Sequence, residues 1–181
     1  GEPVDLFFAE PDWMYNYMDD PTLTKPLSAL GLTAEDFAGQ YDYTVQVGTN
    51  AAGELCGVSP WVCPGVYLYR TDLAKEFLGV TSPEEMQAKV KDWDTMLDTA
   101  KELSDATNQE MTLLDSMGGA RMMAMRADDA AFVKGNVLQR DSIAEMIRRL
   151  YVAKSSNAIA DVMQWTDDWV EQNERNRILG Y

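Results

Sequence analysis

Two periodicities run through the chain, and they predict alternating strands and helices. Val4–Ala9 is a near-continuous apolar run, the pattern of a strand buried on both faces. It breaks at Glu10-Pro11-Asp12, where Asp12 can cap a short helical segment that places Trp13 and Tyr17 on one side. Pro21 and Pro26 mark a loop. Thr33 with Asp36 forms a capping-box pattern, and an uneven helical pattern follows to about Val47. Asn50–Gly53 reads as a turn into a strand at Leu55–Val58.

Val66–Tyr69 is β-branched and aromatic and reads as another strand. Thr71 or Asp72 caps a helix closed by Gly79. Ser82-Pro83-Glu84-Glu85 opens the next helix, with Pro at the first helical position. Asp92 opens a third, with Trp93, Met96, Leu97, Ala100 and Leu103 on one face at helical spacing. Met111–Leu114 reads as a strand, Asp115–Gly119 as a loop and Ala120–Arg126 as a helix. Lys134-Gly135-Asn136 is a hairpin signal between two short apolar pairs. Ser142 with Glu145 is a capping box for a helix facing inward through Ile143, Met146, Ile147, Leu150 and Tyr151. Thr166 caps a last helix, and Arg177–Tyr181 reads as a final strand. Strands alternating with helices predict an α/β layer structure.

One stretch departs from these patterns. Ser59–Gly65 is a kinked, proline-bearing loop that is apolar and contains Trp61 and Cys63, whereas surface loops are usually polar. Such a loop is expected inside a cleft or at a crossing between domains.

Composition narrows the chemistry. The 181 residues are 46% apolar and 25% charged, enough for a globular core without staples. Thirty acidic against 15 basic residues give a net charge of -15, a field that disfavours nucleic acid and anionic membrane surfaces. There is no histidine, which removes His-based acid/base chemistry and His-ligated zinc. Two cysteines, Cys56 and Cys63, are too few for a structural zinc site. A disulfide between them is open on sequence, and two separate buried thiols are favoured. No metal or cofactor is expected. No run has the length of a membrane helix and no signal-peptide pattern is present. The apolar segments at both ends are expected to be cut edges of a longer protein, with Gly1 a cloning remnant.

Candidate chemistry lies in aromatics and carboxylates. Trp93, Trp165 and Trp169 read as core fillers, while Trp61 serves equally well as packing or as a face for a ligand. Glu10 and Asp12 lie just past one expected strand and Asp115 just past another, where ligands bind in open α/β sheets. Helix capping and solvation are the plain alternative for Glu10 and Asp12. A glycosidase dyad would need an acid in an apolar setting, and none stands out among 30.

Several blocks resemble one family. They are Asp5–Asp12, Gly53–Arg70 with Pro60 inserted before Trp61, Ala74–Gly79 followed by Pro83–Gln87, and Trp165–Trp169 followed by Gly180-Tyr181. In order and spacing they resemble the family-1 extracellular solute-binding proteins of carbohydrate ABC importers, the maltose-binding-protein class. The likeness is strongest to lipoprotein-anchored members of Gram-positive gut bacteria.

The resemblance implies a periplasmic-binding-protein-like α/β fold, a mixed sheet flanked by helices, truncated to mainly the second lobe. Residues 1–58 would belong to the first lobe, and residues 59–181 would form the crossing segment and second lobe. A mono- or oligosaccharide would bind between the lobes, shift a hinge equilibrium, and pass to the membrane permease without turnover. Carried over by position, Glu10, Asp12 and Trp13 match the first-lobe edge of the cleft. Trp61 and Cys63 match the crossing, and Asp115 matches a second-lobe edge, although its Asp-Ser-Met-Gly-Gly loop departs from the family pattern. The full-length protein would be an extracytoplasmic, cell-surface lipoprotein. A truncated chain would leave Val4–Ala9 without sheet neighbours, so it is expected to pair elsewhere, possible self-association with another copy included. Two other readings stay open, a carboxylate-dependent glycosidase fragment and an α/β protein-interaction module without a small ligand.

Overall fold

A computed structural model describes residues 4–62, 64–126 and 131–181. The chain divides into two compact units, Gly1–Gly65 and Val66–Tyr181, so the Ser59–Gly65 loop falls with the first.

The first unit is built from turns and short helices. Val4–Ala9 is not a strand: it runs as irregular backbone, with Leu6 82% exposed and Val4 and Phe8 similarly open. A strand is stable only when neighbours pair its N–H and C=O groups and cover its faces. None of the described residues pairs with this run. A 3-10 turn at Pro11–Trp13 leads into α1 (Tyr15–Met18). Glu10, not Asp12, takes the cap position of that turn, and Trp13 N–H donates to Glu10 O at 2.9 Å. Further 3-10 turns cover Leu27–Leu30 and Ala34–Phe37, the latter with the expected box, in which Thr33 N–H donates to Asp36 Oδ2 at 2.6 Å. α2 (Asp42–Val47) follows. The Asn50–Gly53 turn forms, but the strand expected at Leu55–Val58 reduces to a single bridge between Leu55 and Thr49. Among the described residues of this unit, Met18 and Thr44 are the buried side chains.

The second unit holds the sheet and the core. α3 (Thr71–Leu78) starts after Arg70, whose guanidinium takes both oxygens of Asp72 at 2.6 and 2.9 Å, so neither Thr71 nor Asp72 acts as its cap. It ends at Gly79, where φ is +67°. α4 (Pro83–Lys89) and α5 (Trp93–Ala106) begin as the sequence predicts. Ser82 Oγ accepts Glu85 N–H at 3.2 Å, and Asp92 Oδ1 accepts Thr95 N–H at 2.8 Å. Each such cap is worth about 1 kcal/mol.

β1 (Thr112–Ser116) runs further than expected, and α6 (Met117–Arg126) follows without an intervening loop. Ser116 Oγ accepts Gly119 N–H at 3.1 Å and so satisfies one of the free donors of that helix start. β2 (Val133–Lys134) and β3 (Val137–Leu138) make the small hairpin about Gly135-Asn136, both at positive φ as a two-residue turn requires. α7 (Arg140–Ser155) begins ahead of the Ser142 box, because the Glu145 carboxylate is taken by Arg148 at 2.6 and 2.8 Å and by Arg149 at 3.2 Å. β4 (Ile159–Val162), unforeseen from sequence, is followed by α8 (Asp167–Glu174) and β5 (Ile178–Gly180).

The sheet order is β4-β1-β5, all parallel. Residues 68–70 then pair antiparallel with β5: Leu68 and Tyr181 exchange N–H···O bonds at 2.8 and 2.9 Å, and Arg70 N–H donates to Leu179 O at 2.9 Å. The sheet is therefore mixed, with helices packed on it. Every residue of the central β1 is buried, and Leu113, Leu114, Leu103, Ala153 and Leu179 form the heart of the core. Burial of each leucine contributes about 1.5–3 kcal/mol. No helix among the described residues is long and apolar enough to cross a membrane.

Gly180 sits where two segments meet. A Cβ there would press on the Leu68 carbonyl oxygen and lie 2.7 Å from the Tyr67 ring. Gly180→Ala is expected to lower unfolding stability by about 1–3 kcal/mol in urea titration. An unchanged midpoint would show that β5 and residues 67–70 are not in close contact.

Candidate functional site

Three parallel strands finish on one edge of the sheet. β1 ends in Asp115-Ser116, β4 leads into Gln164-Trp165, and β5 leads into Tyr181. In open parallel sheets this carboxyl edge is where ligands are held.

Asp115 lies at the centre of that edge and is 1% exposed. Its Oδ2 accepts two hydrogen bonds, from Trp169 Nε1–H at 2.7 Å and from Gln164 Nε2–H at 2.8 Å. Its Oδ1 is buried with no hydrogen-bond partner among the described residues. Gly119 borders that oxygen: a Cβ there would stand 3.2 Å from Oδ1 and 3.5 Å from Ser116 Oγ. A polar group taken out of water costs free energy unless donors replace the water, and here two side chains supply them.

The donors belong to an aromatic row. The Trp165 and Trp169 rings lie 5.1 Å apart at 48°, and Trp169 meets Tyr181 edge-on at 5.5 Å. Trp165 has φ of +69° and is 80% exposed. Trp169 is half-buried in the first turn of α8, where its backbone N–H donates to Thr166 Oγ1 at 3.3 Å. The expectation that Trp165 fills the core is thus corrected, because its backbone turns the ring outward. Trp169 packs as expected but also serves as a hydrogen-bond donor.

The sequence-derived candidates fall in both units. Asp115 belongs to the second, and the others precede Gly65. Glu10 is exposed at the start of the Pro11–Trp13 turn, and Trp13 is exposed within it. Trp61 is 65% exposed and lies parallel to Phe8, with ring centroids 6.4 Å apart and an interplanar angle of 7°. Asp12 lies in the same turn as Trp13, with its side chain outside the described residues. Cys63 is also outside them, and with it the pairing of Cys56 and Cys63. An open cavity of about 710 Å³ within the first unit is lined by Leu27, Leu32, Phe37, Val45 and Leu55 and includes none of the candidates. Among the described residues, no three Asp, Glu or Cys side chains gather as a metal site.

Gln164, Trp165, Trp169 and Tyr181 are additions from the structure. Their signal in the sequence was the Trp165–Trp169 block with Gly180-Tyr181, but two tryptophans four residues apart at a helix start also suit core packing.

Tyr67 backs the site. Its hydroxyl donates to Leu113 O at 2.7 Å, and burial, followed by the nearby Asp115 charge, pushes its ionisation above the ordinary tyrosine range. A phenol with a raised folded pKa stabilises the fold fully below its unfolded value, near 10, and that stability is lost as pH rises beyond it. Stability is expected to fall above about pH 10 by up to about 1.4 kcal/mol per pH unit from this group. Tyr67→Phe should flatten that slope in urea titrations at stepped pH. An identical slope in the variant would show that Tyr67 ionises as freely as in the unfolded chain.

No family model matches the chain, and no curated protein does. A solved structure of an extracellular solute-binding protein of family 1 superposes with a TM-score of 0.76 at 17% identity, covering 94% of this chain and 44% of that one. The chain thus spans less than half the length of that protein. Over nearly all of its residues, it carries the fold of part of an extracellular solute-binding protein.

Proposed function

We propose that this chain is part of the sugar-binding component of an ABC importer, which captures a mono- or oligosaccharide outside the cytoplasm and delivers it to the membrane permease. The observation that carries this reading is the aromatic row Trp165–Trp169–Tyr181 beside buried Asp115, at the carboxyl edge of a parallel sheet, in a chain with a solute-binding fold. Flat aromatic faces suit the C–H face of a pyranose.

In the first unit, the parallel Phe8 and Trp61 rings offer a second exposed aromatic surface, with Glu10, Asp12, Trp13 and Cys63 close in sequence to one ring or the other. Residues 1–65 carry ten acidic side chains and a single basic one, Lys25. That field opposes phosphorylated or carboxylated solutes and favours a neutral sugar. Binding without turnover is the mode proposed, since a solved structure that shares this fold is that of a binding protein.

A thermal-shift panel of neutral mono- to oligosaccharides tests the reading, run on this chain and on a longer polypeptide that contains it. At least one sugar is expected to raise the melting temperature. Trp61→Ala should then weaken its binding by about tenfold, about 1.4 kcal/mol. No shift with any sugar in the longer polypeptide would contradict the proposal. Unchanged affinity in Trp61→Ala would remove that ring from the site.

A further inference from the structure

We propose that Asp115 is a positioning residue, not a ligand contact, and that it holds Trp165 in place as the contacting surface of the second unit. The choice of a pyranose as ligand rests on the sugar-binding reading above, whereas the brace itself does not.

The brace is built around one oxygen. Both donors to Asp115 Oδ2 flank Trp165 in the chain: Gln164 directly precedes it, and Trp169 follows one helical turn on. Between them the turn is tied again. Thr166 Oγ1 donates to Met163 O at 2.7 Å and accepts Trp169 N–H at 3.3 Å. Residues 163–169 are therefore fixed from inside by a buried carboxylate and from within by a threonine.

Trp165 shows what this fixing achieves. A bulky residue at positive φ is strained, and it keeps that conformation only where its surroundings over-determine it. The ring that results is 80% exposed, inclined against Trp169, and adds nothing to the core. A large apolar face held open at a cost in backbone strain is suited to contact, and its shape admits the C–H face of a pyranose. Asp115, at 1% exposure, cannot touch that ligand and acts through the two residues it binds.

The test has two readouts. The first needs no ligand: two indoles at 5.1 Å and 48° should give an exciton couplet in the far-ultraviolet circular dichroism of this chain. The couplet should vanish in Trp165→Phe, which removes one indole. It should shrink by at least about half in Asp115→Ala and persist in Asp115→Asn, whose side-chain carbonyl still accepts both N–H groups. If Asp115→Ala does not fold, Gln164→Ala removes one donor and should reduce the couplet in part. A couplet unchanged in a folded Asp115→Ala or Gln164→Ala protein overturns the brace.

The second readout is affinity for whichever sugar the panel identifies. Trp165→Ala and Asp115→Ala should each weaken it by about tenfold, with recovery in Asp115→Asn. Loss of the couplet with unchanged affinity overturns the presentation of Trp165 to the ligand. Failure of every sugar to bind the wild type would sink the importer reading, and the couplet would still decide the brace.

Discussion

A carboxylate buried at the end of the central strand is the constraint on which this structure turns. Asp115 is the penultimate residue of β1 and is buried; its Oδ1 has no partner among the described residues, and its Oδ2 takes two donors from the protein. Gln164, just past β4, and Trp169, in the first turn of α8, supply them. One oxygen thereby joins the ends of two neighbouring strands and the start of a helix. Tyr181, beyond β5, is brought in by its ring contact with Trp169. The carboxyl edge of the sheet is therefore a cross-linked surface, not a set of independent loops. Replacing Asp115 by an apolar residue would free two N–H groups in the interior, which is why its role is felt at residues it does not neighbour in sequence.

The two units differ in how they satisfy their backbones. The second surrounds a buried strand with helices, and its starts and stops are governed by local caps at Ser82, Asp92, Gly79 and Thr166. Among its described residues the first has turns, short helices and one isolated bridge, and many large apolar side chains, among them Leu6, Phe8 and Trp61, remain open. Its aromatic pairs among the described residues, Phe7 with Tyr17, Phe8 with Trp61 and Tyr41 with Tyr43, give such side chains local packing.

Helix boundaries in the second unit were legible because caps are short-range. A Ser, Thr or Asp side chain answers a backbone N–H within three residues, whatever the rest of the chain does. The exceptions lie in local contacts of the same range: Arg70 holds the Asp72 carboxylate at the start of α3, and two arginines hold Glu145 near Ser142. Strands were less legible, because their stability comes from partners distant in sequence. Val4–Ala9 has the composition of a buried strand without a partner, while Ile159–Val162 has an unremarkable composition and becomes a strand because β1 lies beside it. The candidate site followed the same division. Asp115 drew attention as a ligand contact from its place after an expected strand, whereas its inclusion in β1, its burial and its two donors were not legible. Trp165 was hidden because nothing local announces a tryptophan at positive φ.

The bond between Asp115 and the Trp169 indole is the point at which the account is most exposed. Amide and indole hydrogen exchange followed by nuclear magnetic resonance measures it directly in the 181-residue chain. A Trp169 Nε1 proton donating to a buried carboxylate at 2.7 Å should exchange far more slowly than a solvent-exposed indole. That protection should disappear in Asp115→Ala. A Trp169 indole proton that exchanges at the rate of a free indole in the folded wild-type chain would contradict the account at its centre.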